Sequence, residues 1–133
     1  MKIVILAGGY GTRLAEYTDK VPKPMVQIGN KPILSHIMNF YQSYGYDEFI
    51  IAAGYKKDVI REYYEGSKEF KNIKIIDTGE DTMTGGRILR LKSQFDKNEN
   101  FFMTYGDGLC SINLDSLIQF HTSHKKIATV TAV

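Results

Sequence analysis

The junction between an apolar run, Ile3-Val4-Ile5-Leu6, and a glycine-rich turn, Gly8-Gly9-Tyr10-Gly11, restricts the fold more than any other stretch of the chain. Consecutive apolar residues that stop at a turn read as a strand buried on both faces, the habit of strands in parallel sheets. The pattern returns at Phe49-Ile50-Ile51-Ala52-Ala53, closed by Gly54, at Ile73-Lys74-Ile75-Ile76 and at Phe101-Phe102-Met103-Thr104-Tyr105. Ala128 to Val133 reads as a fifth strand. Segments of helical period lie between the runs. Pro32 opens a helix on which Ile33, Leu34, Ile37, Met38 and Tyr41 share a face, and Gly45 stops it. Asp58 to Tyr64 forms a short helix with Val59, Ile60 and Tyr63 on one side. Ile88, Leu89 and Leu91 mark another that ends near Phe95, and Leu114, Leu117, Ile118 and His121 a fourth. Strands alternating with helices predict an α/β fold, a doubly wound, mostly parallel sheet with helices on both faces. Ligands of such sheets bind at the carboxyl ends of the strands. The polar, glycine-bearing loops Gly8 to Arg13, Thr78 to Arg87 and Gly106 to Cys110 follow strands one, three and four. They are expected on one rim.

The 133 residues suit a single domain with a proper core. A net charge of +2 is too small for a nucleic-acid or lipid surface, so any positive field belongs to a site. One cysteine excludes an internal disulfide and suits a reducing compartment. No window reaches the length of a membrane span, and the N-terminus is a core strand rather than a signal peptide. A cytoplasmic protein with no membrane partner is expected. The chain stops inside strand sequence, Thr129-Val130-Thr131-Ala132-Val133, which predicts a fragment or an edge strand that needs cover.

A glycine turn after a buried strand brings bare backbone N–H groups close to a phosphate. Arg13 adds a positive charge there, and Lys23, between Pro22 and Pro24, adds another on a stiff segment. The turn is neither a dinucleotide fingerprint, which needs glycine at the position of Leu14, nor a P-loop. The bland readings are a simple turn and a solvated Lys23. Asp107, between Gly106 and Gly108 at the end of a strand, has room for a metal and a phosphate; its bland reading is a solvated turn.

Leu6-Ala7-Gly8-Gly9-x-Gly11-Thr12-Arg13-Leu14, then Pro22-Lys23-Pro24-Met25, then Gly29-x-Lys31-Pro32-Ile33-Leu34 resembles the sugar-1-phosphate nucleotidyltransferases, a family with a Rossmann-like sheet. Asp77-Thr78-Gly79, Thr82-Met83-Thr84-Gly85-Gly86-Arg87 and Thr104-Tyr105-Gly106-Asp107-Gly108 resemble its glucose-1-phosphate cytidylyltransferase branch. The resemblance covers essentially all 133 residues as the nucleotide-binding part of a catalytic domain. It implies a Mg²⁺-dependent transfer from CTP, or another nucleoside triphosphate, to glucose 1-phosphate or a related small phosphorylated acceptor. It further implies backbone contacts from Leu6, Ala7, Gly8, Gly9, Tyr10, Gly11 and Thr12. Arg13 would hold the departing phosphates, Lys23 the α-phosphate and Asp107 the metal. Thr82, Arg87 and Gly108 would contact the nucleotide, and a carbonyl near Ala7 or Gly79 would accept from the base. A homo-oligomer is expected. The family carries extra residues between Tyr64 and Asp77 that this chain lacks. The competing readings are a module that binds CTP without turnover and a nicotinamide-dependent oxidoreductase, the latter opposed by Leu14.

Other residues read as structural. His121 and His124 share a helix face without a third ligand, and His36 reads as packing. Cys110 reads as a small buried hydrophobe. Lys56-Lys57 and Lys125-Lys126 read as solvated. Thr84 reads as the cap of its helix, with Thr82 to Arg87 opening it.

Overall fold

In the computed structural model, residues 1–11 and 21–132 are described; Thr12, Arg13, Leu14 and Val133 lie outside the described residues. The described residues form a four-stranded sheet from β1 (Ile3–Ala7), β4 (Glu48–Ala53), β5 (Asn72–Asp77) and β6 (Phe102–Tyr105), in the order β5-β4-β1-β6. All three pairings are parallel. Ile3 stands opposite Phe49 on one side and Phe102 on the other, and Ala7 opposite Ala53. A hairpin not anticipated from the sequence, β2 (Gln27–Ile28) with β3 (Lys31–Pro32), turns at Gly29, whose φ of +64° favours glycine.

The helices lie on both faces of the sheet. They are α1 (Ile33–Gln42), α2 (Lys57–Tyr64), α3 (Thr84–Arg90) and α4 (Leu114–His124). Ile3, Ile5, Ala7, Phe49, Ile51 and Ala53 project from one face into a core with Leu34, Ile37, Met38 and Tyr41 of α1, Ile60 and Tyr64 of α2, and Leu114 of α4. Val4, Leu6, Ile50 and Ala52 project from the other face onto Leu91, with Ile76, Ile88 and Phe95 beside them. Burial on both sides explains why these strands are apolar at every position rather than at every second one. Within the larger core the Ser35 hydroxyl and the Tyr64 phenol hydrogen bond at 2.8 Å, which satisfies both. Burial pushes the Tyr64 phenol well up from its ordinary value.

Several sequence expectations are corrected. Residues 128–132 form no strand and pair with none of the described strands, although β6 stands at an edge of the sheet; Thr129 Oγ1 instead lies 2.8 Å from both His121 Nδ1 and His124 Nε2. The two histidines thus tether the chain end to α4. On α2 the inward pair is Ile60 and Tyr64, four apart, while Tyr63 is exposed. The residue before α3 that caps it is Met83, without a side-chain bond, and Thr84 is already helical. Cys110 is exposed. Lys57 is not merely solvated, since it pairs with Asp77.

Two expectations about stability follow. Leu34 has no exposed surface. Leu34→Ala should lower the unfolding free energy by about 2–5 kcal/mol in urea denaturation; a loss within experimental error would contradict the core described. Asp77, the last residue of β5, receives Lys57 Nζ at 2.5 Å and the Gly79 N–H at 2.9 Å. The Lys57 bond, then that of Gly79, holds the carboxyl below its ordinary 3.8. With the folded value lowered, the stabilisation is present above the unfolded-chain value and is lost as pH falls through the folded one. The pair is exposed and its gain small. Carbon-13 titration of the Asp77 carboxyl should show a midpoint below 3.8 that climbs towards it in Lys57→Met. An unchanged midpoint in that variant would rule the pairing out.

Candidate functional site

The carboxyl ends of β1, β5 and β6 open onto one cavity of about 330 Å³. Leu6, Ala7, Gly8, Gly9 and Gly11 line it from β1 and its turn, Thr82, Met83, Thr84 and Arg87 from the segment after β5, and Tyr105, Gly106 and Asp107 from β6. The three loops expected on one rim therefore meet. Lys23 and Pro24 complete the wall. Thr12 and Arg13 lie outside the described residues; the turn leading to them does line the cavity.

Lys23 stands on a single 3-10 turn, Lys23–Met25, closed by the Met25 N–H donating to the Pro22 carbonyl at 2.8 Å. Pro22, at φ −66° and ψ 151°, directs the chain into that turn. Pro24 rests on Gly106: a Cβ on that glycine would come within 3.0 Å of Pro24 Cγ and 3.1 Å of the Leu6 carbonyl. The Gly106 N–H donates to the same Leu6 carbonyl at 2.9 Å, carrying the β1–β6 ladder one residue further. Lys23 is thereby pressed against the strand end that carries Asp107, and Lys23 Nζ lies 2.5 Å from Asp107 Oδ2. The two side chains keep 26% and 33% of their surface, so water and ligands reach them.

Arg87 is only 5% exposed and points into the protein. Its Nη1 donates to Thr78 Oγ1 at 2.7 Å and the Gly79 carbonyl at 2.6 Å, and its Nη2 to the Gly8 carbonyl at 2.8 Å and the Glu80 carbonyl at 2.9 Å. Burial, then the charge of Arg90, lowers its pKa; a guanidinium stays charged regardless. Arg90, not singled out from the sequence, donates to the Thr78 carbonyl at 2.5 Å and to Thr82 Oγ1 at 2.7 Å, so it orients Thr82. The spacing of Arg87 and Arg90, three apart on a helix that follows a glycine-bearing loop, is the signal that could have found it.

Tyr10 turns away from the cavity. Its ring lies 5.1 Å from that of Tyr55, and its hydroxyl donates to Asp81 Oδ1 at 2.6 Å, which links the turn after β1 to the loop after β5. That bond, then desolvation, raises the Tyr10 pKa. Gly108 is exposed beside Asp107 and is not among the residues lining the cavity. His36 Nε2 lies 2.9 Å from the Ile28 carbonyl, in keeping with a structural part.

Among the described residues, no three His, Cys, Asp or Glu side chains gather as a metal cage. Among the described residues, Asp107 is the one carboxylate that lines the cavity. One carboxylate completed by phosphate oxygens and water fits Mg²⁺, which keeps part of its hydration shell. No helix among the described residues is long and apolar enough to cross a membrane.

Several known proteins resemble this chain in sequence and fold. A probable glucose-1-phosphate cytidylyltransferase of Bacillus subtilis is 46% identical over 154 aligned positions, covering all of this chain and 60% of its own. The glucose-1-phosphate cytidylyltransferase of Salmonella typhimurium is 44% identical, covering 99% and 60%. The chain thus spans about three-fifths of the length of these relatives. The alignments exceed the 133 residues of this chain, so the relatives carry residues with no counterpart here. Among solved structures, HddC from Yersinia pseudotuberculosis complexed with GMP-PN superposes with a TM-score of 0.77 at 30% identity, over 90% of this chain and 53% of that one. A UDP-glucose pyrophosphorylase complexed with UDP-glucose reaches 0.78 at 22% identity, a likeness of fold. The sequence pattern of the Nucleotidyl transferase family matches residues 2–133, and the chain belongs to that family.

Proposed function

We propose that this chain carries the nucleotide half of a cytoplasmic cytidylyltransferase that joins CTP to glucose 1-phosphate, or a closely related sugar 1-phosphate, and releases pyrophosphate. The observation that carries this reading is the Lys23–Asp107 pair facing a cavity floored by the glycine turn after β1. The names of the relatives support CTP and glucose 1-phosphate as the substrates.

The chemistry brings two anions together, so the site must neutralise charge and align the attack. Backbone N–H groups of the Gly8–Gly11 turn hold the triphosphate, and Arg13 pairs with the departing β,γ-phosphates. Lys23 moves from Asp107 to the α-phosphate and the incoming acceptor oxygen, where a compact ammonium on a flexible stem suits both. Asp107 would hold Mg²⁺, which when bound would supply Lewis-acid withdrawal of charge from the α-phosphate. Thr82, oriented by Arg90, and Arg87 border the nucleotide. The half-exposed Lys23–Asp107 pair contributes little to stability, so the exchange of partners is cheap.

A second reading, binding of CTP without turnover, is favoured by one observation: the chain spans 60% of its relatives' length. Pyrophosphate release from CTP, measured across a panel of sugar 1-phosphates and alongside calorimetric titration with CTP, separates the two. Turnover is expected with glucose 1-phosphate and Mg²⁺. Lys23→Ala should lower it by about 10²–10³-fold, the scale set by removal of one charge-stabilising donor, with the circular dichroism spectrum unchanged. Asp107→Asn should abolish the response to Mg²⁺. Undiminished turnover in Lys23→Ala would overturn the mechanism, and CTP heat without pyrophosphate in the parent chain would establish the second reading.

A further inference from the structure

The side chains of Tyr10 and Asp81 do not line the cavity, yet both residues are joined in the chain to ones that do. Gly9 and Gly11 flank Tyr10 in one wall, and Thr82 follows Asp81 in the other. The Tyr10 hydroxyl donates to Asp81 Oδ1 at 2.6 Å, across 71 residues of sequence. A bond outside the lining thus ties the two walls to each other. The phenol ring is itself supported. It lies 5.1 Å from the Tyr55 ring at a tilt of 48°, and the Tyr55 N–H donates to the Gly8 carbonyl at 3.2 Å. Lys56 Nζ stands 5.1 Å from the centroid of the Tyr55 ring, a cation–π contact.

The turn after β1 needs such a tie. Three of the four residues from Gly8 to Gly11 are glycine, and Gly11 takes φ +66°. Glycine loses more conformational freedom on ordering than any other residue, so this wall has little stiffness of its own. A Cβ on Gly9 would meet nothing within 4 Å, so neighbours do not wedge the turn in place. The opposite wall follows another flexible point, Gly79 at φ +81°. A ligand that touches both walls must find them at one separation, and a tie already formed removes that ordering cost from binding.

We propose that Tyr10 and Asp81 are positioning residues: their hydrogen bond straps the turn after β1 to the loop after β5 and holds the two walls at the separation that one nucleotide spans. The two side chains act through the walls. The proposal deepens the reading of the cavity as a nucleotide site and rests on it.

Three substitutions test the strap. Tyr10→Phe keeps the ring beside Tyr55 and removes the hydroxyl, Asp81→Ala removes the acceptor, and Asp81→Asn keeps an amide oxygen in its place. Dissociation constants for CTP, cytidine and inorganic tripolyphosphate are measured by calorimetry on the full chain, and amide hydrogen exchange is followed at Gly9, Gly11, Thr82 and Thr84. Tyr10→Phe and Asp81→Ala should each weaken CTP by about two- to twelvefold, the scale of one net hydrogen bond. The double variant should lose no more than either single one, and Asp81→Asn should stay close to the parent. Cytidine and tripolyphosphate, each only a part of CTP, should change less than CTP does. Exchange should quicken in both walls in either single variant. Additive losses in the double variant would overturn the proposal, as would a loss of tripolyphosphate affinity equal to that of CTP, the mark of a direct phosphate contact. If the parent chain binds none of the three probes, the nucleotide reading fails. Quickened exchange in the wall opposite the substitution then still establishes the strap, and quickening confined to the substituted wall refutes it.

Discussion

The parallel pairing of β1 along both of its edges is the constraint from which the cavity follows. Ile3 to Ala7 are matched one to one with Phe49 to Ala53, and Ile3 to Leu6 with Phe102 to Tyr105. Strands that run in one direction end on one rim, and each must leave the sheet there through a loop. Because both faces are covered by helices, those loops have no choice of layer. The turn at Gly8 and the carboxylate at Asp107 become neighbours because β1 and β6 are neighbours. Gly106, two atoms of proline and one carbonyl from overcrowding, shows how closely Lys23 is then pressed onto that edge.

The site handles its cations in two ways. Arg87 is buried, and its donors are consumed by neutral oxygens of the backbone and one hydroxyl. Among the described residues no carboxylate pairs with it, so it adds a positive field at the wall of the cavity. Lys23 is half-exposed and held by a single carboxylate. Such a pair is weak in water and is readily traded for a better anion. Geometry is thus assigned to the planar guanidinium, whose fork can satisfy several carbonyls at once, and mobility to the ammonium on its flexible stem.

The strands were legible in the sequence because two-sided burial demands unbroken apolar runs, and Ile3 to Leu6 or Phe49 to Ala53 have no other use. The convergence of the loops was legible for the same reason. The segment 128–132 was not: strand propensity in Thr129 and Val130 is a statement about packing on a partner, and here Thr129 meets two imidazoles instead. The direction of Arg87 was equally hidden. A sequence reports that an arginine follows Gly85-Gly86, but whether its fork reaches outward to a ligand or inward to carbonyls depends on Gly8 and Gly54, far away in the chain, having no side chains. Cys110 illustrates the converse, since a residue type that is usually buried is exposed on a loop with no element to cover it.

The residues that the resemblance places in relatives between Tyr64 and Asp77 bear on a different part of the molecule. Here α2 passes to β5 through residues 65–71. Gly66 takes φ +69°, the Phe70 N–H donates to Ser67 Oγ at 3.3 Å, and the Phe70 ring packs edge-on against Phe49 and Tyr64 at 6.1 and 5.9 Å. Phe70 is nearly fully buried, so this short connection closes the core by itself. It also enters β5 at Asn72, the amino end of the strand, whereas the cavity opens at the carboxyl end beyond Asp77. A change of length at one rim of a parallel sheet leaves the opposite rim in register, because the ladder between them is set residue by residue. The turn after β1, the Lys23–Asp107 pair and the Arg87 clamp are therefore compatible with either length of connection.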